Sequence, residues 1–379
     1  MLFPDGLRCL RRSGGEAVTR PRVLWVATAA RGGIAGYVEA LAATPLFTRW
    51  RVERLVTHDD GPARRRLTLF ASGTARFVWR CLTARPQIVH LHSAAYGSFA
   101  RKALLLWTAG LVFRIPTVLH LHAGEFADFY TRCPRPLRPL VRATLTRADR
   151  VVTLSPHLAR AVTAIAPAAR VTSVPNGVAV APAPHRPEGP PRVLFLGLLI
   201  ERKNPLGLLR AWAQIDRPPG ARLLLAGDGP LRPAVEALVS ELGLAESVDL
   251  LGWVDAARSA RLLEEADVLV LPSFFEGQPL ALIEGMARGV ALVSTAVGGI
   301  PDLIEDGVSG RLVPPGDDAA LAAALGAVLR DGELRTRLGN AAYERARQDF
   351  NIEHTWRRLD ALYREIAPQA ARLAPGEAL

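Results

Sequence analysis

Five prolines between Ala179 and Pro191 (Pro182, Pro184, Pro187, Pro190 and Pro191) divide this chain, and the same rhythm runs on either side of them. A short apolar segment ends in a loop, and a longer stretch with helical spacing follows. Before the prolines the apolar segments are Arg22–Ala27, Arg51–Thr57, Ile88–His92, Thr117–His122, Val151–Ser155 and Val171–Gly177. After them come Val193–Leu196, Arg222–Ala226, Val248–Leu251, Val268–Leu271 and Ala291–Ser294. Short apolar runs bounded by turn residues read as strands buried on both faces. Strands that alternate with helices call for a parallel sheet, because a parallel neighbour is reached only by a crossover. The chain is therefore expected to be α/β, with two Rossmann-like, doubly wound domains. Ligands of such sheets bind outside the carboxyl ends of the strands. The expected divisions are a disordered extension over 1–20, a first domain over 21–178 and a linker over 179–191. A second domain follows over 192–351, then a closing helix and tail over 352–379.

The densest chemistry lies between Leu271 and Pro315. The strand Val268–Leu271 stops at Pro272 and Ser273, and a loop carries Glu276 and Gly277. Pro279 is expected to start a helix that includes Glu284 and ends at Gly289. A strand end, a glycine loop and a helix start present free N–H groups, which suit a phosphate. Two carboxylates suit sugar hydroxyls instead. Glu284 is expected to hold a ribose diol and Glu276 a second sugar, so the inferred ligand joins a sugar, a diphosphate and a nucleoside. Elsewhere, Arg31-Gly32-Gly33 follows the first strand and is a weaker candidate for an anion cradle.

Glu276 and Glu284 in their setting, the following TAVGGIPDLIEDGVSGRLVPPGD and the upstream segments resemble retaining glycosyltransferases of family 4, which have the GT-B fold. The resemblance runs from about Val23 to Ile366 and is strongest from Gly197 onward. It is closest to members that build bacterial surface polysaccharide. It implies two domains facing across a cleft, an acceptor-binding one first and a nucleotide-sugar-binding one second. It also implies a last helix, Ile352–Ile366, that crosses back to the first domain. On this likeness Gly197 to Pro205 supplies Arg202 and Lys203 to the leaving diphosphate, and His122 faces the donor sugar. Glu276, His122, Arg202 and Lys203 are the implied catalytic group. Glu284, Gly277, Gln278, Pro279, Leu280, Gly32, Gly33, Gly197 and Val254 are the implied donor-binding group. Gln278 and Gly285 depart from the residues expected there, which bears on sugar preference. The implied reaction moves a hexose from a UDP- or GDP-linked sugar, as co-substrate, to a hydroxyl of a lipid-linked or saccharide acceptor. It needs no cofactor and no metal, and no Asp-x-Asp pair occurs in the chain. Arg101 and Lys102 are candidates for meeting phosphates of a lipid carrier.

Other readings compete. The pairs His90/His92 and His120/His122 have spacing compatible with a metal centre, although no carboxylate ligands assemble with them. A GT-B epimerase or hydrolase, and a non-catalytic nucleotide-sugar-binding subunit, are the alternatives to a transferase.

Charge is unevenly placed. Residues 1–178 carry 26 Lys and Arg against 9 Asp and Glu, a net of +17, and residues 179–379 carry the other 21 against 27, a net of −6. Without a nucleic-acid motif, an anionic membrane face is the expected partner of the basic half. Arg64, Arg65, Arg66, Arg76 and Arg80, interspersed with Phe70, Phe77 and Trp79, are its expected contact. No apolar stretch is long enough to span a bilayer. A cytoplasmic protein, peripheral on the inner membrane face, is expected. Cys9, Cys81 and Cys133 lack metal spacing and fit a reducing compartment. Lys102 and Lys203 are the only lysines among 47 basic residues, which hints that both positions need a compact ammonium.

Overall fold

The computed structural model describes residues 22–30, 32–184 and 189–371. The expected extension over 1–20, Cys9 and Arg31 lie outside the described residues. The strands are β1 (Val23–Ala27), β2 (Glu53–Val56), β3 (Ile88–Ser93), β4 (Thr117–Leu121), β5 (Arg150–Thr153) and β6 (Val171–Ser173) in the first half. The second half has β7 (Arg192–Leu196), β8 (Arg222–Ala226), β9 (Val248–Gly252), β10 (Val268–Leu271), β11 (Ala291–Thr295) and β12 (Arg311–Val313). They form two six-stranded sheets, ordered β2-β1-β3-β4-β5-β6 and β12-β11-β10-β7-β8-β9. Every pairing is parallel. The central strands β1, β3, β4 and β10 are buried along their whole length, as parallel strands covered on both faces are. The one strand the apolar runs did not predict is β12. It is three residues long, sits at a sheet edge and begins with Arg311.

The chain passes between the halves twice, side by side. On the outward pass Val178 N–H donates to Phe350 C=O at 2.9 Å, and on the return Ile352 N–H donates to Val178 C=O at 2.9 Å. The helix Ile352–Ile366 then packs on the first sheet. Its Trp356, Leu359, Leu362 and Tyr363 join Val23, Trp25, Leu41 and Trp50 in one buried cluster. Asp360 accepts hydrogen bonds from Trp50 Nε1 at 2.7 Å and Arg49 Nη1 at 3.0 Å. The crossing helix is thus part of the first half's core.

Two local expectations need correction. Pro279 caps the helix Leu280–Met286 from outside rather than opening it, whereas Gly289 terminates the helix as expected. Gly289 (φ +76°) takes the left-handed position beyond the end: its N–H donates to Met286 C=O at 3.0 Å and Val290 N–H donates to Gly285 C=O at 3.1 Å. This is a Schellman closure, which favours glycine. Among the aromatics named for a membrane face, Phe77 is fully buried in the first half's core and Phe70 is half-buried. The exposed large apolar residues of that helix, Ala63–Thr83, are Leu67, Trp79 and Leu82.

Candidate active site

The second sheet presents its carboxyl ends in the spatial order β9, β8, β7, β10, and the site can be built along that line. Val254 follows β9 and is half-buried against the core of this half. The neighbouring turn after β8 is tied to it, with Gly227 N–H donating to Gly252 C=O at 2.8 Å. Gly227 in turn lies against Gly197, at the end of β7, so closely that a Cβ on Gly227 would sit 1.8 Å from Gly197 O. After Gly197 comes a single tight turn, Glu201–Lys203. Asn204 ends it in the left-handed region (φ 53°), and its side chain caps the helix Pro205–Ala213 by accepting from Gly207 N–H at 3.1 Å. The turn brings Lys203 back past Gly197, and Lys203 Nζ donates to Glu276 Oε1 at 2.5 Å. Glu276 is 6% exposed. A charge-assisted bond between two largely buried groups fixes both side chains.

Glu284 lies one turn into the Leu280–Met286 helix and is half-buried. Burial pushes its carboxyl upward, and Arg288 partly opposes that shift. None of the hydrogen bonds among the described residues ends on the Glu284 carboxylate, which leaves it able to take two hydroxyl groups. Gly285, one of the two departures, has a packing reason: a Cβ there would lie 2.8 Å from Leu269 Cδ2. Gln278, the other, serves as a joint between the halves. Its Oε1 accepts from Asn176 N–H at 2.6 Å and its backbone carbonyl accepts from Asn176 Nδ2 at 2.8 Å. Its side-chain oxygen is thereby committed to this joint.

The opposite wall comes from the first half. Its loop after β4 meets the Glu276 loop backbone to backbone: a Cβ on Gly124 would lie 2.2 Å from Glu276 O, and one on Gly277 would lie 2.9 Å from His122 O. Arg202 reaches across to Glu125, Nη1 to Oε2, at 3.9 Å. Gly32 (φ 137°) and Gly33 begin the helix Gly33–Ala42, and a Cβ on either would face open space. That helix abuts Leu280, whose Cδ1 lies 3.3 Å from where a Cβ on Gly36 would stand. His122, Arg202, Glu276, Gly277, Gln278 and Leu280 therefore lie where the halves meet, Lys203 and Gly197 lie behind them, Glu284 shares the helix of Leu280, and Val254 stands apart after β9. Gly124, Glu125 and the Gly298–Gly299 backbone were not anticipated. Gly298 and Gly299 pack on the Glu276 and Gly277 carbonyls, and only their dense glycine spacing hinted at so close an approach.

His122 belongs to a two-by-two array with His90, His92 and His120, since His92 and His120 are register partners on adjacent strands. Trp25 Nε1, a donor only, gives to Tyr363 Oη at 2.8 Å, and Tyr363 Oη also meets His90 Nδ1. His90 Nε2 lies 3.1 Å from His120 Nδ1, so one ring donates to the other. His92 Nδ1 lies 3.0 Å from His122 Nε2. Ligand atoms of His90, His92 and His120 fall within 4.8 Å of one another. Both ring nitrogens of His90 are already used by Tyr363 and His120, and among the described residues no carboxylate joins the cluster to balance a cation's charge. Burial pushes all four imidazoles down, His122 to about 3. They are neutral at ordinary pH.

These features can be set beside known proteins. Residues 23–181 match the family described as Glycosyltransferase Family 4, and residues 181–345 match Glycosyl transferases group 1. The chain is 31% identical over 321 residues to the D-inositol 3-phosphate glycosyltransferase of Mycobacterium ulcerans, covering 79% of this chain and 68% of that one. It is 41% identical over 165 residues to a GalNAc-alpha-(1->4)-GalNAc-alpha-(1->3)-diNAcBac-PP-undecaprenol alpha-1,4-N-acetyl-D-galactosaminyltransferase of Campylobacter jejuni. That match covers 43% of this chain and only 45% of the relative, less than half its length. Among solved structures, Anabaena HepE in complex with UDP and glucose superposes with a TM-score of 0.74 at 18% identity, over 91% of this chain and 100% of that one. With its two parallel sheets, its crossing helix and these matches, the chain belongs to the family 4 glycosyltransferases of GT-B fold.

Proposed function

We propose that this chain is a retaining, metal-independent glycosyltransferase that moves a hexose from a nucleotide sugar to an acceptor hydroxyl. The observation that carries the reading is the Lys203–Glu276 pair beside Gly197, with the unoccupied carboxylate of Glu284 on the next helix. The nucleoside lies along Val254 and Glu284, the ribose diol donating to Glu284. The diphosphate lies over Gly197, where Lys203 and Arg202 neutralise the charge that grows as the glycosidic bond breaks. Glu276 holds Lys203 in place and faces the sugar hydroxyls, together with the Gly277 backbone. The Gly32–Gly33 loop closes the other side of the diphosphate. Positive charge from fixed side chains at that point takes the part a divalent ion plays elsewhere, which supports metal independence.

The state of His122 supports retention. Inversion needs a base opposite the leaving group to draw off the acceptor proton, and an imidazole pushed down to about 3 is a poor base near neutrality. In the retaining course the acceptor oxygen attacks on the face the diphosphate leaves, and its proton passes to a departing diphosphate oxygen. His122 then orients the sugar.

The acceptor is proposed to be a lipid-linked or other saccharide. Leu67, Trp79 and Leu82 are exposed on one helix beside Arg64, Arg65, Arg66 and Arg76, a mixture suited to an anionic membrane face. Among the described residues no helix is long and apolar enough to cross a membrane. A thermal-shift panel of UDP-, GDP- and ADP-sugars tests the donor reading. One base should raise the melting temperature with ligand concentration, since a ligand at 100 times its Kd adds about 2.7 kcal/mol. No shift with any of the three sinks it.

A further inference from the structure

Lys102 is 2% exposed, and its Nζ donates to Thr57 Oγ1 at 2.6 Å. Among the described residues no carboxylate pairs with Lys102, with its neighbour Arg101 or with Arg66. The adjacent Asp59 is bound to Arg65 at 2.6 Å and to Gly61 N–H at 3.0 Å. Arg101 Nε is buried and has no hydrogen-bond partner among the described residues. These cations are close enough to act on one another. Burial and then Arg101 push the Lys102 ammonium down to about 7. Burial, Arg101, Arg66 and Lys102, in that order, push the His58 imidazole down.

Their place in the fold is the ligand crevice. Thr57 and His58 follow β2, and His58 C=O accepts from Ala29 N–H at 2.8 Å, which stitches this loop to the one leading into Gly32–Gly33. Lys102 also bears on His92, whose ring is one hydrogen bond from His122. A buried ammonium whose described partner is one neutral hydroxyl is costly. An arginine beside it with an unused donor adds to that cost. Both are relieved by one group with several acceptor oxygens and a double negative charge.

We propose that Lys102, Arg101 and Arg66, with His58 beside them, form a phosphoryl-binding subsite on the first half's wall of the cleft that grips a phosphate or diphosphate of the acceptor. The proposal rests on the transferase reading above, which supplies the acceptor. Arg66, exposed like Arg64 and Arg65 on the same helix, is set apart from them by acting on Arg101 and His58. Such a grip also means that the acceptor hydroxyl is presented from an anchored phosphate, which fixes its distance from His122.

The test is calorimetric titration of inorganic pyrophosphate into protein whose donor site is already saturated with the nucleoside diphosphate it binds best. The parent protein should bind. Arg101→Gln and Arg66→Gln should each weaken binding at least tenfold, and Arg64→Gln should leave it within twofold. Lys102→Met should abolish it; should that buried change prevent folding, the two arginine variants decide. None of the folded variants should move the nucleotide Kd more than twofold. Competition by a short-chain prenyl diphosphate in micelles, stronger than that by hexose 1-phosphate, would assign the phosphate to a lipid carrier, and the reverse order to a soluble acceptor. No pyrophosphate binding by the parent, or equal binding by the parent and both arginine variants, overturns the proposal. If no nucleoside diphosphate binds, the transferase reading falls, and titration of the parent against Arg101→Gln still decides the subsite.

Discussion

Lys203 and Lys102 each stand on the segment that follows a central strand of their sheets, Lys203 on the turn after β7 and Lys102 in the helix after β3. Lys203 meets a carboxylate at 2.5 Å, whereas Lys102 meets a hydroxyl and other cations. The same difference runs through the two crevices. The second half's holds Glu276 and Glu284, and the first half's holds four neutral imidazoles and a group of uncompensated cations. Two six-stranded parallel sheets of different strand order thus carry two chemistries. Where a cation is held by a carboxylate, it is oriented in advance for charge that appears during reaction. Where it is not, it awaits an anion that arrives ready-made.

The largest expected effect separates the halves by acid. Below about pH 6.5 an unfolded chain protonates its histidines while the folded array stays neutral, so stability falls as pH drops, by about 1.4 kcal/mol per pH unit for each. Denaturant titrations at pH 7 and pH 5 should show the first half's tryptophans, Trp25 and Trp50, unfolding at lower denaturant in acid. A pH-independent midpoint would break the contrast. Lys102 gives the opposite edge: its folded pKa of about 7 lies below the unfolded value near 10.4. The unfolded chain binds the extra proton between them, so stability rises across that window, and Lys102→Met should flatten the rise.

Next in size is the second half's pair. Lys203→Ala should cut turnover roughly 10²–10³-fold, the scale of losing one preorganised stabiliser of developing charge. Glu276→Ala should do as much while leaving nucleoside diphosphate affinity near the parent value. Retention of turnover within threefold in both would remove these residues from the reaction. Glu284→Ala should weaken nucleotide binding about tenfold, the cost of two lost hydroxyl contacts, and an unchanged Kd would reassign the ribose. A smaller effect is expected at the membrane. Changing Arg64, Arg65 and Arg66 to Gln should lower co-sedimentation with anionic vesicles severalfold, in a salt-sensitive way. Equal partition onto neutral vesicles would count against the surface. The smallest is no effect at all: EDTA should leave activity intact, and a loss restored by zinc would reopen the histidine array as a metal centre.

Much of the fold was legible because strands buried on both faces are written as unbroken apolar runs, Val268–Leu271 being the plainest. What stayed hidden depends on contacts between distant segments. The role of Gln278 needs Asn176, 102 residues away, and Gly285 makes sense only once the Leu269 side chain lies under it. Phe77 was misplaced because arginines surround it in sequence, while the helix turns only that face inward. The rarity of lysine did point to both crevices, but composition does not show that one ammonium is paired and the other is not.

The return of the last helix to the first half sets an order of manufacture. Trp25 and Trp50 leave a ribosome 338 and 310 residues before their partners Tyr363 and Asp360. Until that helix emerges the first half must wait with an open flank, while the second half has its own core in hand once residue 350 is made. The part translated second is therefore able to mature first, and the earlier part is the one that stands to need a chaperone's shelter.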